Sequence, residues 1–316
     1  MASDVCANCA ARGNQAADSC ATCGREASDA VELKNCAACL LVKYCSVDCQ
    51  RAHRKQHKVA CKERADELKD ERLYGEGHER PESDFCSICT LPIPFPMSVH
   101  SGFQVCCSKV VCSGCQFAVI KRGMHNCPFC RTPLLDETGD GGAVLARVQK
   151  RVDAKDPDAM AFLGEQHYFG WLGLEVNISL AVELWKEAVE LGSIDAHFSL
   201  GNQYIIGYGV AQNTAKAIHY WEVAAMRGHV ESRNKLGMCD FTDRNYGRAV
   251  RHFLITAKMG SDVSLGMIKL MFAQGQASKQ QYAEALRGYQ FATEEMKSPD
   301  RDEWKALSER EKESAK

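Results

Sequence analysis

The sequence predicts a mainly α chain: two small cysteine-built α+β modules, followed by an α-solenoid of about four helix-turn-helix repeats. Two observations carry this. Seventeen of the eighteen cysteines lie before residue 131, leaving only Cys239 beyond. From about residue 156 the chain repeats itself at intervals of 32–37 residues, the mark of stacked supersecondary units. The 316 residues suit about two or three domains. The expected divisions are a disordered N-terminus (1–19), a first cysteine module (20–61), a charged helix and linker (62–84) and a second cysteine module (85–134). A linker (135–155), the repeats (156–296) and a charged C-terminal helix (297–316) complete the chain.

The cysteines come first in the argument because their chemistry is the most specific. Six C-x2-C pairs occur, at Cys6/Cys9, Cys20/Cys23, Cys36/Cys39, Cys86/Cys89, Cys112/Cys115 and Cys127/Cys130. Disulfides would need an oxidising compartment. Met1 to Ala11 has neither a basic start nor an apolar run, so no secretory leader is expected. No stretch approaches about 18 apolar residues, so no membrane span is expected. The expected location is intracellular, cytoplasmic or nuclear, where close cysteine pairs read as zinc ligands. Net charge is −2 with no dominant block of one sign, which calls for neither a nucleic-acid surface nor a membrane patch.

In the first module the string is Cys20-x2-Cys23, Cys36-x2-Cys39, Cys45-x3-Cys49, His57-x3-Cys61. Eight thiolate or imidazole ligands suffice for two tetrahedral zinc ions. The i, i+4 spacing of Cys45/Cys49 and His57/Cys61 is expected to place each pair on one helical face. About 42 residues cannot bury an adequate apolar core, so metal must supply folding free energy. Cys6/Cys9 is the other candidate for the first pair. Gly24 after Cys23 suits a knuckle turn, and the gap from Cys9 to Cys36 is long, so Cys20/Cys23 is preferred. The basic run Arg51, His53, Arg54, Lys55, Lys58, Lys62 and Arg64 reads as the solvated face of the module's helix, with a nucleic-acid contact or a nuclear address as the alternative.

The eight ligands, Tyr44 before Cys45, and Cys49-Gln50 resemble the MYND zinc finger. That resemblance implies interleaved sites: Cys20, Cys23, Cys45 and Cys49 on one zinc, and Cys36, Cys39, His57 and Cys61 on the other. Members of that family bind short proline-containing peptides and usually carry Trp three residues before the histidine. Here Arg54 stands in that place.

The second module reads Cys86-x2-Cys89, Cys106-Cys107, Cys112-x2-Cys115, Cys127-x2-Cys130, again eight potential ligands. It resembles an all-cysteine RING finger. The resemblance implies a cross-brace, with Cys86, Cys89, Cys112 and Cys115 on a third zinc and Cys106, Cys107, Cys127 and Cys130 on a fourth. Adjacent Cys106-Cys107 departs from the family's spacing, and His100 or His125 could complete the site if one thiol stayed free. The resemblance further implies a groove for a ubiquitin-conjugating enzyme, with Ile88 and Pro128 as its apolar contacts and Arg131 as the bridging cation. Phe117 and Val119 stand nearest the family's missing helix tryptophan.

Within the repeats, Leu163-Gly164, Leu200-Gly201 and Leu236-Gly237 recur, as do Ala181, Ala217, Ala249 and Ala285. Apolar residues such as Ala181, Leu184, Trp185 and Ala188 fall at helical spacing. Each unit is therefore two short antiparallel helices, with Gly192, Gly228 and Gly260 at turns where only glycine takes positive φ freely. Asp156-Pro157 suits a helix start. The string Asp195-Ala196 through Leu200-Gly201, Tyr204, Gly207-Tyr208-Gly209-Val210, Ala217, Tyr220-Trp221, Ala224-Ala225 and Gly228-His229 resembles the Sel-one-like repeat, a relative of the tetratricopeptide repeat. The resemblance covers about residues 157–293 and implies a solenoid with a concave face for protein partners. Trp, Tyr and Met residues of the repeats are expected in its core. Asn177-Ile178-Ser179 fits a glycosylation pattern that a reducing compartment makes accidental.

The expected cofactor is zinc, about four ions. The expected function is that of a RING-type ubiquitin ligase recruiting substrates through its solenoid and MYND-type finger. The alternative is a non-enzymatic scaffold or adaptor. Either way the expected partners are proteins, with neither nucleic acid nor a membrane.

Overall fold

The computed structural model describes residues 18–134 and 141–314; Cys6 and Cys9, the N-terminal segment 1–17 and part of the 135–155 linker lie outside them. The chain forms two compact units that meet at Gly75/Glu76.

In the first unit, β1 (Lys34–Asn35) and β2 (Lys43–Tyr44) pair as a short antiparallel hairpin, with Lys34 opposite Tyr44. Helix α1 (Val47–Gly75) follows. It is too polar to stand on an apolar face of its own, and of its 29 residues only His53, His57 and Leu73 are buried. The core of the finger is instead Cys20, Cys36, Cys39, Val42 and Tyr44, so the ligands themselves occupy the interior. One expectation is corrected here. Cys45 precedes α1 rather than sharing a helical face with Cys49; the strand-to-helix turn, not helical periodicity, brings the two sulfurs together. His57 and Cys61 do lie one turn apart on α1.

The second unit opens with a 3-10 turn (Glu82–Asp84), then α2 (Met97–His100) and the hairpin β3 (Ser101–Gln104) and β4 (Lys109–Cys112). Helix α3 (Ser113–Lys121) starts directly from β4. Ile93, Val111 and the buried thiols Cys86, Cys112 and Cys115 form the small core. Residues 141–153, placed in a linker by their sequence context, form helix α4 (Gly141–Asp153). Val144, Leu145, Val148 and Val152 fall on one face of it and pack on the first repeat.

The solenoid is four helix pairs: α5 (Pro157–Phe169) with α6 (Ile178–Glu190), α7 (Ile194–Ile206) with α8 (Thr214–Met226), α9 (Val230–Thr242) with α10 (Tyr246–Lys258), and α11 (Asp262–Ala273) with α12 (Lys279–Glu295). Side-chain caps start most of them. Asp156, Asn177, Ser193, Asn213, His229, Ser261 and Ser278 each accept a backbone N–H from the first turn, satisfying donors that the helix leaves unpaired. Asn177, the residue of the glycosylation pattern, is thus a helix cap. Gly192, Gly228 and Gly260 take φ of +93°, +90° and +94° at the turns between pairs. Within pairs, Gly164 and Gly201 lie against the indoles of Trp185 and Trp221, and Gly237 lies against the ring of Phe253.

The second cysteine module is built into the solenoid unit. Phe103 of β3 stacks on Phe162 of α5, with centroids 5.0 Å apart. The segment ahead of the module lies on the turn between α8 and α9. There the buried Arg233 donates to the carbonyls of Glu76 (2.7 Å) and Ala225 (2.8 Å). The buried Arg80 donates to Asp84 at 3.0 Å and covers the Phe95 ring. The last helix, α13 (Pro299–Ser314), packs on α3 of this module: Trp304 meets Phe117, and Lys121 donates to Glu303.

Candidate metal centres

The structure gathers the sixteen ligand candidates into four groups: Cys20, Cys23, Cys45 and Cys49; Cys36, Cys39, His57 and Cys61; Cys86, Cys89, Cys112 and Cys115; Cys106, Cys107, Cys127 and Cys130. In each, the four ligand atoms lie within 4.8 Å of one another. The sulfur separations are informative: Cys23–Cys45 3.5 Å, Cys45–Cys49 3.6 Å, Cys36–Cys61 3.7 Å, Cys107–Cys127 3.8 Å and Cys89–Cys112 3.9 Å. A disulfide needs about 2.05 Å. The edge of a tetrahedron with Zn–S bonds of about 2.3 Å is about 3.8 Å. The donor set and its spacing therefore fit zinc, about four ions.

Ionisation within the groups points the same way. In each, one thiol is held low and at least one other is pushed up. Burial works upward on Cys20, but the backbone N–H groups of Cys23, Cys45 and Thr22 bring it to about 6. The Cys23 sulfur beside it, with burial, pushes Cys45 up to about 12. Cys86 is lowered to about 4, chiefly by the Cys112 thiol, and burial raises Cys115 to about 12. In the last group the Thr132 hydroxyl lowers Cys130 to about 6, while burial and neighbouring sulfurs raise Cys106. Thiolates held this close repel one another, and a divalent cation at the centre reverses that repulsion.

Both adjacent cysteines, Cys106 and Cys107, reach the fourth group, while neither His100 nor His125 belongs to it. Neighbours in a strand would point to opposite faces. These two sit in the tight turn between β3 and β4, where Cys107 and Ser108 both donate backbone N–H to the Gln104 carbonyl and Ser108 takes φ +55°. His53, expected on the solvated basic face of the module's helix, is corrected here: it lies behind the second group. It is buried, stacks on His57 at 5.4 Å and meets the Tyr44 hydroxyl at 3.0 Å. Its i, i+4 spacing to His57 was the available signal. Of the residues expected in the conjugating-enzyme groove, Ile88 is 38% exposed. Pro128 and Arg131 are also exposed, Arg131 with φ +59°. Val119 is buried, and Phe117 packs under Trp304.

Residues 20–61 match the MYND finger family, and residues 157–193, 194–229 and 232–261 match the Sel1 repeat. The first unit is built on a MYND finger. The first three helix pairs are Sel1 repeats, consistent with the glycine–aromatic contact repeated in each of them. A similar curated protein is chitin synthase regulatory factor 2 of Schizosaccharomyces pombe (strain 972 / ATCC 24843), 32% identical over 84 residues. That match spans 27% of this chain and only 16% of the relative. Among solved structures, a Sel1 repeat protein from Oxalobacter formigenes is 26% identical, covering 48% of this chain and 64% of that one, with a TM-score of 0.41. The protective antigen c5321 of uropathogenic Escherichia coli is 22% identical over 48% of this chain and 33% of its own, with a TM-score of 0.42.

Proposed function

We propose that the protein is a protein-interaction adaptor whose MYND finger captures an acidic peptide segment. The observation that carries this is a groove of about 530 Å³ along α1, lined by Arg51, Arg54, Lys58 and Lys62 and by no carboxylate. The spacing of these cations, 3, 4 and 4 residues, puts them on one helical face about 16 Å long. Arg64 is not among them, being engaged by Glu67 at 2.9 Å and Glu71 at 2.8 Å. Among the described residues Arg54, Lys58 and Lys62 have no ion-pair partner, while Arg51 has an exposed contact with Asp48 at 3.6 Å. The adjoining three-cysteine, one-histidine zinc site carries one net negative charge, which four cations outweigh. Arg54, standing where the family usually has Trp, turns an apolar contact into a charged one. Tyr44, the groove's aromatic residue, is only 4% exposed and offers no stacking platform for bases, so a peptide is favoured over nucleic acid.

The test is fluorescence anisotropy with the zinc-loaded full chain. An Asp/Glu-rich peptide is expected to bind, its Asn/Gln counterpart to bind far less, and Arg54→Glu with Lys58→Glu to weaken the acidic peptide by about tenfold or more. Equal binding of the neutral peptide, or preference for single-stranded RNA, would overturn the reading.

A second reading, a RING-type ubiquitin ligase, is supported by the interleaving of the last two cysteine groups. The exposure of Ile88, Phe129 and Arg131 adds to it. Such a module acts by holding a charged conjugating enzyme in a reactive pose. Auto-ubiquitination that fades in both Ile88→Ala and Arg131→Ala would support it; no chains with any conjugating enzyme would remove it.

A further inference from the structure

We infer that Arg301, on the C-terminal helix, is an outer ligand of the third zinc site and protects that ion from release. The site is Cys86, Cys89, Cys112 and Cys115. Four thiolates around one divalent ion leave a formal charge of two minus, and a cation 212 residues further along the chain from Cys89 donates to one of them. The Arg301 guanidinium donates from Nη2 to Cys89 Sγ at 3.4 Å and to the Leu91 carbonyl at 3.2 Å. From Nη1 it donates to the carbonyls of Pro92 and Met296, both at 2.6 Å. One side chain thus ties a ligand sulfur, the loop that follows it and the end of the solenoid into one cluster. A planar fork with five donors can do this; an ammonium cannot satisfy the same directions at once.

The finger's own sequence admits this contact. Between Cys112 and Cys115 stands Ser113-Gly114. A Cβ at Gly114 would come within 2.6 Å of the Arg301 backbone nitrogen and 2.8 Å of its Cα. Glycine at this position lets α13 descend onto the metal loop. Trp304 on Phe117 and Glu303 with Lys121 then hold the helix along α3. The fourth group differs. Among the described residues its sulfurs have the Thr132 hydroxyl beside Cys130 but no cationic donor, and Cys130 is exposed. A cationic donor draws electron density from a zinc-bound sulfur. It lowers that sulfur's affinity for protons and electrophiles and opposes the first step of metal loss. The third ion is therefore the protected one in this module, and its retention depends on the chain's last helix. The inference rests on zinc occupying this group and is independent of which partner the protein binds.

The test is zinc transfer from the full, zinc-loaded chain to a chromogenic chelator, followed in time and quenched by thiol alkylation for mass spectrometry. In Arg301→Met one of the ions should leave about tenfold faster or more, with early alkylation on Cys86, Cys89, Cys112 and Cys115 and the other ions at wild-type rates. Trp304→Ala, which loosens the helix but keeps the donor, should accelerate the same ion less. If Arg301→Met does not fold, Arg301→Lys decides, with a smaller acceleration of that ion expected. Wild-type release from whichever Arg301 variant is read, or equal acceleration by Trp304→Ala, would overturn the inference.

Discussion

Gly201 lies directly beneath the indole of Trp221: a Cβ at Gly201 would sit 2.3 Å from Trp221 Nε1. The same relation joins Gly164 to Trp185 at 2.6 Å. The Leu-Gly motif of the repeat is thus a packing device. It sets how near the two helices of a pair approach, and the aromatic ring fills the space that a side chain would take. Gly201→Ala gains helix propensity of about 1 kcal/mol but forces the buried Trp221 out of place, which costs about 1–3 kcal/mol. A net loss of stability is expected by chemical denaturation. Gly266→Ala, also inside a helix but with nothing within 4 Å of its new Cβ, should gain about 0.5–1 kcal/mol.

Gly192 and Gly228 occupy equivalent turns with nearly equal φ, +93° and +90°, yet their surroundings differ. Nothing nearer than 4.0 Å faces a Cβ at Gly192, whereas one at Gly228 would meet the Glu79 carbonyl at 2.0 Å. Alanine at either position is strained by about 1 kcal/mol or more. Gly228→Ala should cost at least about 1 kcal/mol more than Gly192→Ala. It should also raise hydrogen exchange in residues 76–84, which Gly192→Ala should not. Equal behaviour of the two variants would mean that this segment is not held on the α8–α9 turn.

Removing zinc should separate the parts of the chain. The MYND finger's core is mostly its ligands, and each structural zinc contributes about 10–16 kcal/mol to modules of this kind. The solenoid has an apolar core of its own, from Val148 to Leu200 and again from Ala249 to Ala285. With a strong chelator, residues 20–61 and 85–134 should become sensitive to protease while α5–α12 keep their helicity. Acid should do the same, because falling pH reprotonates the thiolates and expels the metal. Concerted loss of all helicity at one chelator concentration would contradict this division.

The repeat architecture was legible because its signals are local: alanines at helical spacing, caps one turn ahead, glycines at turns. The loop lengths were legible too. Seven residues separate α7 from α8 but only three separate α9 from α10, the four-residue deficit visible in the repeat spacing. The ligand groups could be expected from C-x2-C spacing, with interleaving implied only by resemblance. What stayed hidden has no periodic signature. Cys89 and Arg301 are 212 residues apart, and nothing in the charged sequence of α13 marks one arginine as special. Phe103 on Phe162 is likewise a contact between modules that each look self-contained in sequence. Helix α4 was hidden by its neighbours, since the acidic, glycine-rich stretch before it drew residues 141–153 into a linker.

The most direct test of the account is native mass spectrometry of the full chain, beside the same measurement under denaturing conditions. The mass should carry about four zinc ions, falling by one when a single group is disabled, as in Cys107→Ser with Cys127→Ser. The denatured chain should show all cysteines reduced. A chain that carries fewer ions and is lighter by two hydrogens for each pair of thiols would hold disulfides instead, and the metal-centred account would fail.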